Sequence, residues 1–558
     1  MQKNFHFKLL PSEAFSDSVI RSYIARTAGT TSTDVNGFNI LKRSIDARGK
    51  QPWVNVSVNA FINEPWRKRA YISLHYKDVH TANRKVIIVG AGPAGLFAAL
   101  RLIEFGIKPI ILERGKDVRA RRRDLALLNK EGVINPESNY CFGEGGAGTY
   151  SDGKLYTRST KRGDVTRILN LFVHFGADEN VLFESHPHIG TNKLPGIITA
   201  IRENILDSGG EIFFEKKVID LIVKDSGTWN RLHSKVISGV KTEDGNTFEG
   251  DAIILATGHS ARDIFQLLQH KGILIESKPF ALGVRIEHPQ ELINTIQYHC
   301  SPSSCDRHLP PASYSLVQQV DGTGVFSFCM CPGGIIAPAS TSEGELVVNG
   351  WSPSKRNNPY ANSGIVVQVQ NRDFRDLMDF EEIIGSSKKV LDSPLGMMHF
   401  QQYVERKAFN IGGGKFVAPA QRLIDFCENK ISSSLPECSY LPGVHSSSLK
   451  DVLPSFIYKK LQKAFREFGK KMIIRQGGKG YFTNDAVLVA TESRTSSPVR
   501  IPRDTDTLHH PEIENFYPCG EGAGYAGGIV SAAMDGEKVA DKIAVSFKIP
   551  SSNLKMNR

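Results

Sequence analysis

The sequence predicts an α/β molecule built around a parallel sheet, and three observations lead there. Residues 85–115 read as strand, glycine-rich turn, helix and second strand in unbroken order. Two later segments, residues 252–263 and 516–536, each carry a short apolar run straight into a glycine turn. The chain has 558 residues, 40% hydrophobic and 23% charged, which is ordinary globular composition and too long for a single core, so two or three domains are expected.

The first of these segments is justified element by element. The apolar run Val86 to Val89 is short enough for a buried parallel strand. Gly90, Gly92 and Gly95 follow in G-x-G-x-x-G spacing, with Ala91, Pro93 and Ala94 between them. Gly90 permits the tight turn, Gly92 lets the backbone approach a pyrophosphate, and Gly95 lets a helix over Ala94 to Phe105 pack against the strand. The free N–H groups and positive dipole end of that helix favour phosphate. Gly106 closes the helix, a second strand covers Pro109 to Leu112, and Glu113 arrives where a ribose-binding carboxylate belongs, with Arg114 beside it. A lone glycine fingerprint is weak evidence; the complete unit predicts a Rossmann-like dinucleotide site.

The later segments add what a flavin site needs. Ala256, Thr257 and Gly258 resemble the A-T-G turn that lies beneath FAD, and Gly520 with Glu521 resembles the late G-[DE] whose acid reaches the ribitol or pyrophosphate side. Gly527, Gly528 and Ile529 open a small-residue helix whose dipole would face the flavin's pyrimidine edge. The bland alternative is a small-residue helix packed on a sheet, and three motifs in the right order outweigh it. The cluster Gly143, Gly145, Gly146 and Gly148, followed by Ser151, Asp152, Gly153 and Lys154, is read as a wrap for the pyrophosphate or the flavin's N5 side rather than a plain flexible loop.

Longer stretches carry a whole-chain resemblance. They are SIDAR at Ser44 to Arg48, FGEGGAGTYSDGKL at Phe142 to Leu155, HIGTNKLP at His188 to Pro195, KPFALGVRIEHPQ at Lys278 to Gln290, SFCMCPGG at Ser327 to Gly334 and ESRTSSPVRIPRD at Glu492 to Asp504. On these the chain resembles the uncharacterised bacterial FAD-dependent dehydrogenase family, NAD(P)/FAD-dependent oxidoreductases with a small domain ahead of the flavin fold. The resemblance implies FAD and redox chemistry; it names no substrate.

Composition excludes other classes. The net charge of +11 gathers partly in Arg114, Lys116, Arg119, Arg121, Arg122 and Arg123, with Arg158, Lys161 and Arg162 later. A solvated helix face is the leading reading of most of these, and docking of a 2′-phosphate or acidic substrate the other. Without interleaved aromatics or a nucleic-acid motif, nucleic acid is not an expected partner. No run of about twenty apolar residues predicts a membrane span, and MQKNFHFKLLPSEAF lacks the apolar core of a signal peptide, so a cytoplasmic enzyme is expected. The eight cysteines show neither a disulfide framework nor metal-ligand spacing, and no metal is expected.

The predicted organisation is a discontinuous FAD/NAD(P)-binding fold with an inserted α+β substrate domain and a small N-terminal α+β domain. Residues 1–80 form the small domain, with a helix over Ser12 to Arg26 and strands over Trp53 to Phe61 and Ala70 to Tyr76; its DAR segment is read as a brace. Residues 81–275 supply the first part of the FAD domain, including a helix from Leu194 to Ser208 and a β-rich stretch from Glu211 to Thr247. Residues 276–480 form the substrate side, 481–545 complete the FAD domain, and 546–558 form a tail. No second G-x-G-x-x-G unit follows, so NAD(P)H is expected only as a transient co-substrate.

The expected activity is hydride transfer through flavin N5 to or from an unidentified small molecule, with a redox partner protein also open. A flavin monooxygenase and a scaffold with structural FAD are the alternatives. Catalytic residues stay unassigned. His259, Arg285, Arg494, Cys329 and Cys331 are weak candidates, alongside Arg262, Glu287 and His288, each as readily a satisfied structural residue. Taking Cys329 and Cys331 to point to opposite faces of a strand, a disulfide between them requires a turn at Pro332 and Gly333, so packing or a flavin-facing role is preferred to a redox one.

Overall fold

The computed structural model describes residues 1–157, 163–225, 235–301, 303–374, 390, 392–474 and 480–549. The predicted βαβ unit is present as strand Lys85–Val89, helix Pro93–Phe105 and strand Lys108–Leu112. Gly106 takes the left-handed conformation that ends the helix. Every residue of that helix except Pro93 and Glu104 is buried, which is why it reads as apolar all round.

The chain returns to this unit twice. Strand Ala252–Leu255 pairs in parallel with Lys85–Val89, and Phe516–Pro518 pairs in parallel with Ala252–Leu255. With Lys108–Leu112 and Glu211–Phe213 they form a five-stranded parallel sheet. Helix Ile529–Ser546 packs on helix Pro93–Phe105, and Gly536 is the point of closest approach: a Cβ there would lie 2.1 Å from the Ala94 carbonyl oxygen. The expected helix at Leu194 is observed as Leu194–Asp207, and the β-rich stretch supplies strands Val218–Asp225, Lys235–Thr242 and Thr247–Glu249.

A seven-stranded sheet forms the second layer, in the order Val317–Val320, Thr323–Cys331, Tyr360–Val369, Phe280–Pro289, Val487–Glu492, Ala418–Arg422 and Val444–Ser446. Its central strands are buried on both faces, and helices Gly396–Gly412 and Ser455–Lys471 pack into the same core. The strand Val487–Glu492 lies inside this sheet, so the sheet runs past the boundary read at residue 480; a run of six buried residues looks alike in either sheet.

The N-terminal residues form a three-stranded antiparallel sheet, Gln2–Leu9, Trp53–Ile62 and Val35–Asp46, covered by a helix. Two expectations fail here. The helix read over Ser12 to Arg26 is broken into Pro11–Ala14 and Asp17–Ala28 at Phe15 and Ser16, and Ala70 to Tyr76 forms no strand. In the latter, Ile72, Leu74 and Tyr76 alternate because they lie against the nucleotide-fold core, without strand partners. The small domain is tied to the nucleotide fold outside the DAR segment: Arg43 bonds Glu184 at 2.7 Å and its backbone exchanges hydrogen bonds with Phe183 and Ser185, while within DAR Arg48 pairs with Asp46 and Ala47 packs on the seven-stranded core.

Cys300 and Cys305 are bonded in the Ser/Pro-rich loop, which corrects the expectation of no disulfide. A turn in which Ser304 and Cys305 both donate to the Ser301 carbonyl brings their Cα atoms to 5.1 Å. Arg158, Lys161 and Arg162 of the basic run, and most of the tail, lie outside the described residues.

Candidate functional site

Five segments far apart in sequence meet at the carboxyl ends of the parallel strands, where ligands bind in open α/β sheets. Gly90 sits at φ +109°, and a Cβ there would lie 2.5 Å from the Ala256 carbonyl oxygen, so the fingerprint turn and the A-T-G turn are in contact. A Cβ on Gly95 would lie 2.0 Å from the Gly90 carbonyl oxygen. Gly92 is different: a Cβ there would meet only the Cα of Gly146, at 4.0 Å. Gly145 donates to the Ala91 carbonyl at 2.8 Å, which lays the GGAG loop beside the fingerprint. A Cβ on Gly148 would lie 3.3 Å from the Ile529 side chain, and one on Gly522 would lie 2.4 Å from the Gly258 carbonyl oxygen.

The glycines that line the hollow face open space. A Cβ on Gly258, Gly527 or Gly528 would find nothing within 4 Å. Helices Pro93–Phe105 and Ile529–Ser546 begin at Gly92 and Gly528 with no side-chain cap, so their amide ends point at this space uncovered. A cradle that a methyl group would fill, with two uncapped helix starts, fits a dinucleotide carrying a pyrophosphate and an electron-rich ring edge.

Around it the acids are placed by the backbone. The Glu113 carboxylate accepts from the N–H groups of Ala91, Gly115 and Gly143, each at 2.9 Å, so it fixes the turn. Arg114 is engaged by Glu137 and Asp263 and stacks over Phe142, leaving its charge neutralised by protein. Glu521 lies 3.3 Å from His259, joining the late turn to the A-T-G turn. Sequence reasoning missed Asp535, which accepts from the Gly520 N–H at 2.8 Å and pairs with Arg503. An acid on the buried side of a helix gives no local signal of such a partner.

The remaining candidates separate. Arg494 is buried against Glu405 and Glu345, together with Arg262. Burial opposes the Glu405 charge, but the two arginines prevail and hold its pKa at about 2. That cluster is structural. Glu287 accepts from the backbone and hydroxyl of Ser439, and burial raises it to about 7. His288 bonds the Tyr481 carbonyl and is held near 4 by burial.

Cys329 and Cys331 sit elsewhere than predicted. Positions i and i+2 of a regular strand share a face, so the opposed-face expectation fails at the outset. The strand then bulges: Phe328 pairs with Gly364 and Cys331 with Asn362, with Cys329 at φ +44° in the extra position. Cys331 is buried and touches Lys154 Nζ at 3.5 Å and Arg285 Nη2 at 3.7 Å. Cys329 is open to a water-sized probe, yet desolvation by surrounding protein pushes its thiol up to about 12. Lys154 reaches this bulge from the end of the GGAG loop, also contacting Asp152 at 3.0 Å.

This is a Rossmann-type nucleotide site closed by a second sheet, the architecture of FAD-dependent oxidoreductases. The chain is similar to known proteins over most of its length. Residues 84–274 match the pyridine nucleotide-disulphide oxidoreductase model, 279–495 the FAD-dependent protein C-terminal domain-like model, and 1–61 a domain of unknown function. An uncharacterized protein of Clostridium beijerinckii is 39% identical over 553 residues, 96% of this chain and 97% of that one. Thiamine thiazole synthase of Pyrococcus horikoshii is 26% identical over 215 residues, 37% of this chain and 70% of that one. A geranylgeranyl bacteriochlorophyll reductase-like structure from Thermoplasma acidophilum is 12% identical, with 84% of this chain and 81% of that one covered at a TM-score of 0.32. The chain belongs to the family of FAD-dependent oxidoreductases that includes the Clostridium beijerinckii protein. Among the described residues no helix is long and apolar enough to cross a membrane.

Proposed function

We propose that this flavoprotein transfers a hydride between FAD and a small molecule, working in the cytoplasm and taking electrons from NAD(P)H that visits transiently. Bound FAD supplies a ring that accepts or gives up a hydride at N5. The observation that carries the reading is the cradle at the ends of the parallel strands, where Gly258, Gly527 and Gly528 face open space beside two helix starts that no side chain caps.

In this reading Gly90, Ala91, Gly92, Pro93, Ala94, Gly95, Gly145 and Gly146 shape the pyrophosphate seat, the uncapped helix start at Ala94 and Gly95 supplies N–H groups to it, and Glu113 serves the adenosine ribose. Ala256, Thr257, Gly258, Gly520 and Glu521 line the middle of the cofactor. Gly527, Gly528 and Ile529 present amide dipoles to the pyrimidine edge, favouring negative charge there. The bulged strand and Lys154 keep bulk water out and offer proton donors on the substrate side. The nucleotide domain is accordingly residues 84–274 with the C-terminal return from Phe516, and the substrate domain is the intervening seven-stranded sheet. Anaerobic mixing with NADH and NADPH, following the flavin absorption band, tests the reading. Bleaching by either is expected. A flavin band that neither nucleotide bleaches rejects NAD(P)H as donor, and oxygen consumption coupled to substrate would reassign the enzyme as a monooxygenase.

A further inference from the structure

The polar groups behind Cys329 form one connected run from both domains. Arg356 pairs with Asp152 at 2.9 Å, Asp152 with Lys154, Lys154 with Cys331, Cys331 with Arg285, and Arg285 Nε with Asn362 Oδ1 at 2.8 Å. Arg285 is matched by Glu492 at 2.5 Å. Asp152 is therefore the single carboxylate shared by two cations, and no other carboxylate among the described residues pairs with Lys154 or Arg356. Counting its carboxylates and cations, Asp152 and Glu492 against Lys154, Arg285 and Arg356, the run carries one positive charge in excess.

Hydrogen-bonding capacity is unfilled in the same place. Asp152 Oδ1, Arg356 Nε and Asn362 Nδ2 are buried without a partner, and two of the three are donors. The side chain of Lys154 keeps 37% of its surface open, whereas that of Asp152 keeps 3%. Buried polar groups are normally satisfied, so unfilled donors beside a surplus charge mark the seat of a ligand.

We propose that this run receives a carboxylate on the substrate, held by the Lys154 ammonium beside Cys329; the proposal rests on the flavin reading of the hollow. One surplus charge suits a monoanionic group and disfavours a phosphate dianion. Arg356 and Arg285 act as positioning residues, through Asp152 and Cys331 respectively.

The test is calorimetric titration of the FAD-loaded protein with propionate and benzoate, against propionamide, benzamide and inorganic phosphate. At least one carboxylate is expected to bind saturably, with its amide weaker by about tenfold or more. Lys154→Met is expected to lose a similar factor, and Lys154→Arg to retain most of the affinity while flavin occupancy and melting temperature stay unchanged in both. The proposal is overturned if neither carboxylate binds, if the amides or phosphate bind as well, or if Lys154→Met binds like the parent. Because heat is read directly, carboxylate binding without NAD(P)H bleaching would reject the donor and keep the site, whereas bleaching without carboxylate binding would do the reverse.

Discussion

At the residue scale, the glycines of the fingerprint separate into two kinds by what a methyl group would meet. Gly92→Ala adds a Cβ to open space, so the variant is expected to fold with an unchanged apoprotein melting temperature and to lose FAD. Gly95→Ala drives a Cβ into the Gly90 carbonyl and is expected to destabilise the apoprotein itself. Flavin content and thermal melts of both variants decide this. Cys329 gives a second expectation: with its thiol at about 12, its thiolate fraction at pH 8 is roughly a thousandfold below that of an ordinary cysteine. Iodoacetamide labelling mapped by mass spectrometry should find Cys329 slow despite its exposure, and labelling as fast as Cys141 would contradict that desolvation. The fingerprint glycines were legible because their spacing is local. The contact of Lys154 with Cys331 was not, because it joins residues 177 positions apart and leaves no pattern along the chain.

At the element scale, the buried strand Phe280–Pro289 carries Glu287, whose folded pKa near 7 lies above its unfolded value because burial disfavours the charge. A carboxyl raised in this way contributes stability that is fully present below about pH 4.5 and is lost as pH rises through 7. Glu287→Gln should therefore match the parent at pH 4.5 and exceed it by up to about 3 kcal/mol at pH 8, measured by denaturant melts. Helix Ile529–Ser546 depends on the opposite case, the buried Arg503–Asp535 pair. Asp535→Asn leaves the guanidinium uncompensated and frees the Gly520 amide, a loss of about 3–5 kcal/mol together with weakened FAD retention. The elements of the nucleotide fold were readable because strand, turn and helix signals coincide there. Ala70 to Tyr76 misled because a tertiary face imposed strand-like alternation on an irregular segment, and the strand Val487–Glu492 was assigned past the wrong boundary because fully buried strands do not reveal which sheet they join.

At the scale of the whole molecule, three folding units meet at a few specific seams. Arg43 joins the small domain to the nucleotide fold through Glu184, and Arg43→Ala should speed proteolysis between residues 63 and 84 while leaving flavin content intact. The HIGTNKLP motif makes part of the seam between the two large units: Thr191 donates to the Ser352 carbonyl at 3.1 Å, and Ser354 donates to Asn192 Oδ1 at 2.8 Å. That motif stood out in the sequence, but its role became evident only when its partners, some 160 positions away, were placed.

The parallel sheet has a consequence for how the protein is made. One edge strand, Phe516–Pro518, and the helix that follows it are among the last parts of the chain. A ribosome has therefore released the fingerprint, the GGAG loop and the whole seven-stranded sheet before the cofactor cradle has its final wall. FAD capture in this sense waits for that return of the chain, and a nascent chain stalled short of that helix carries every phosphate-binding glycine of the fingerprint yet lacks the part that completes the grip.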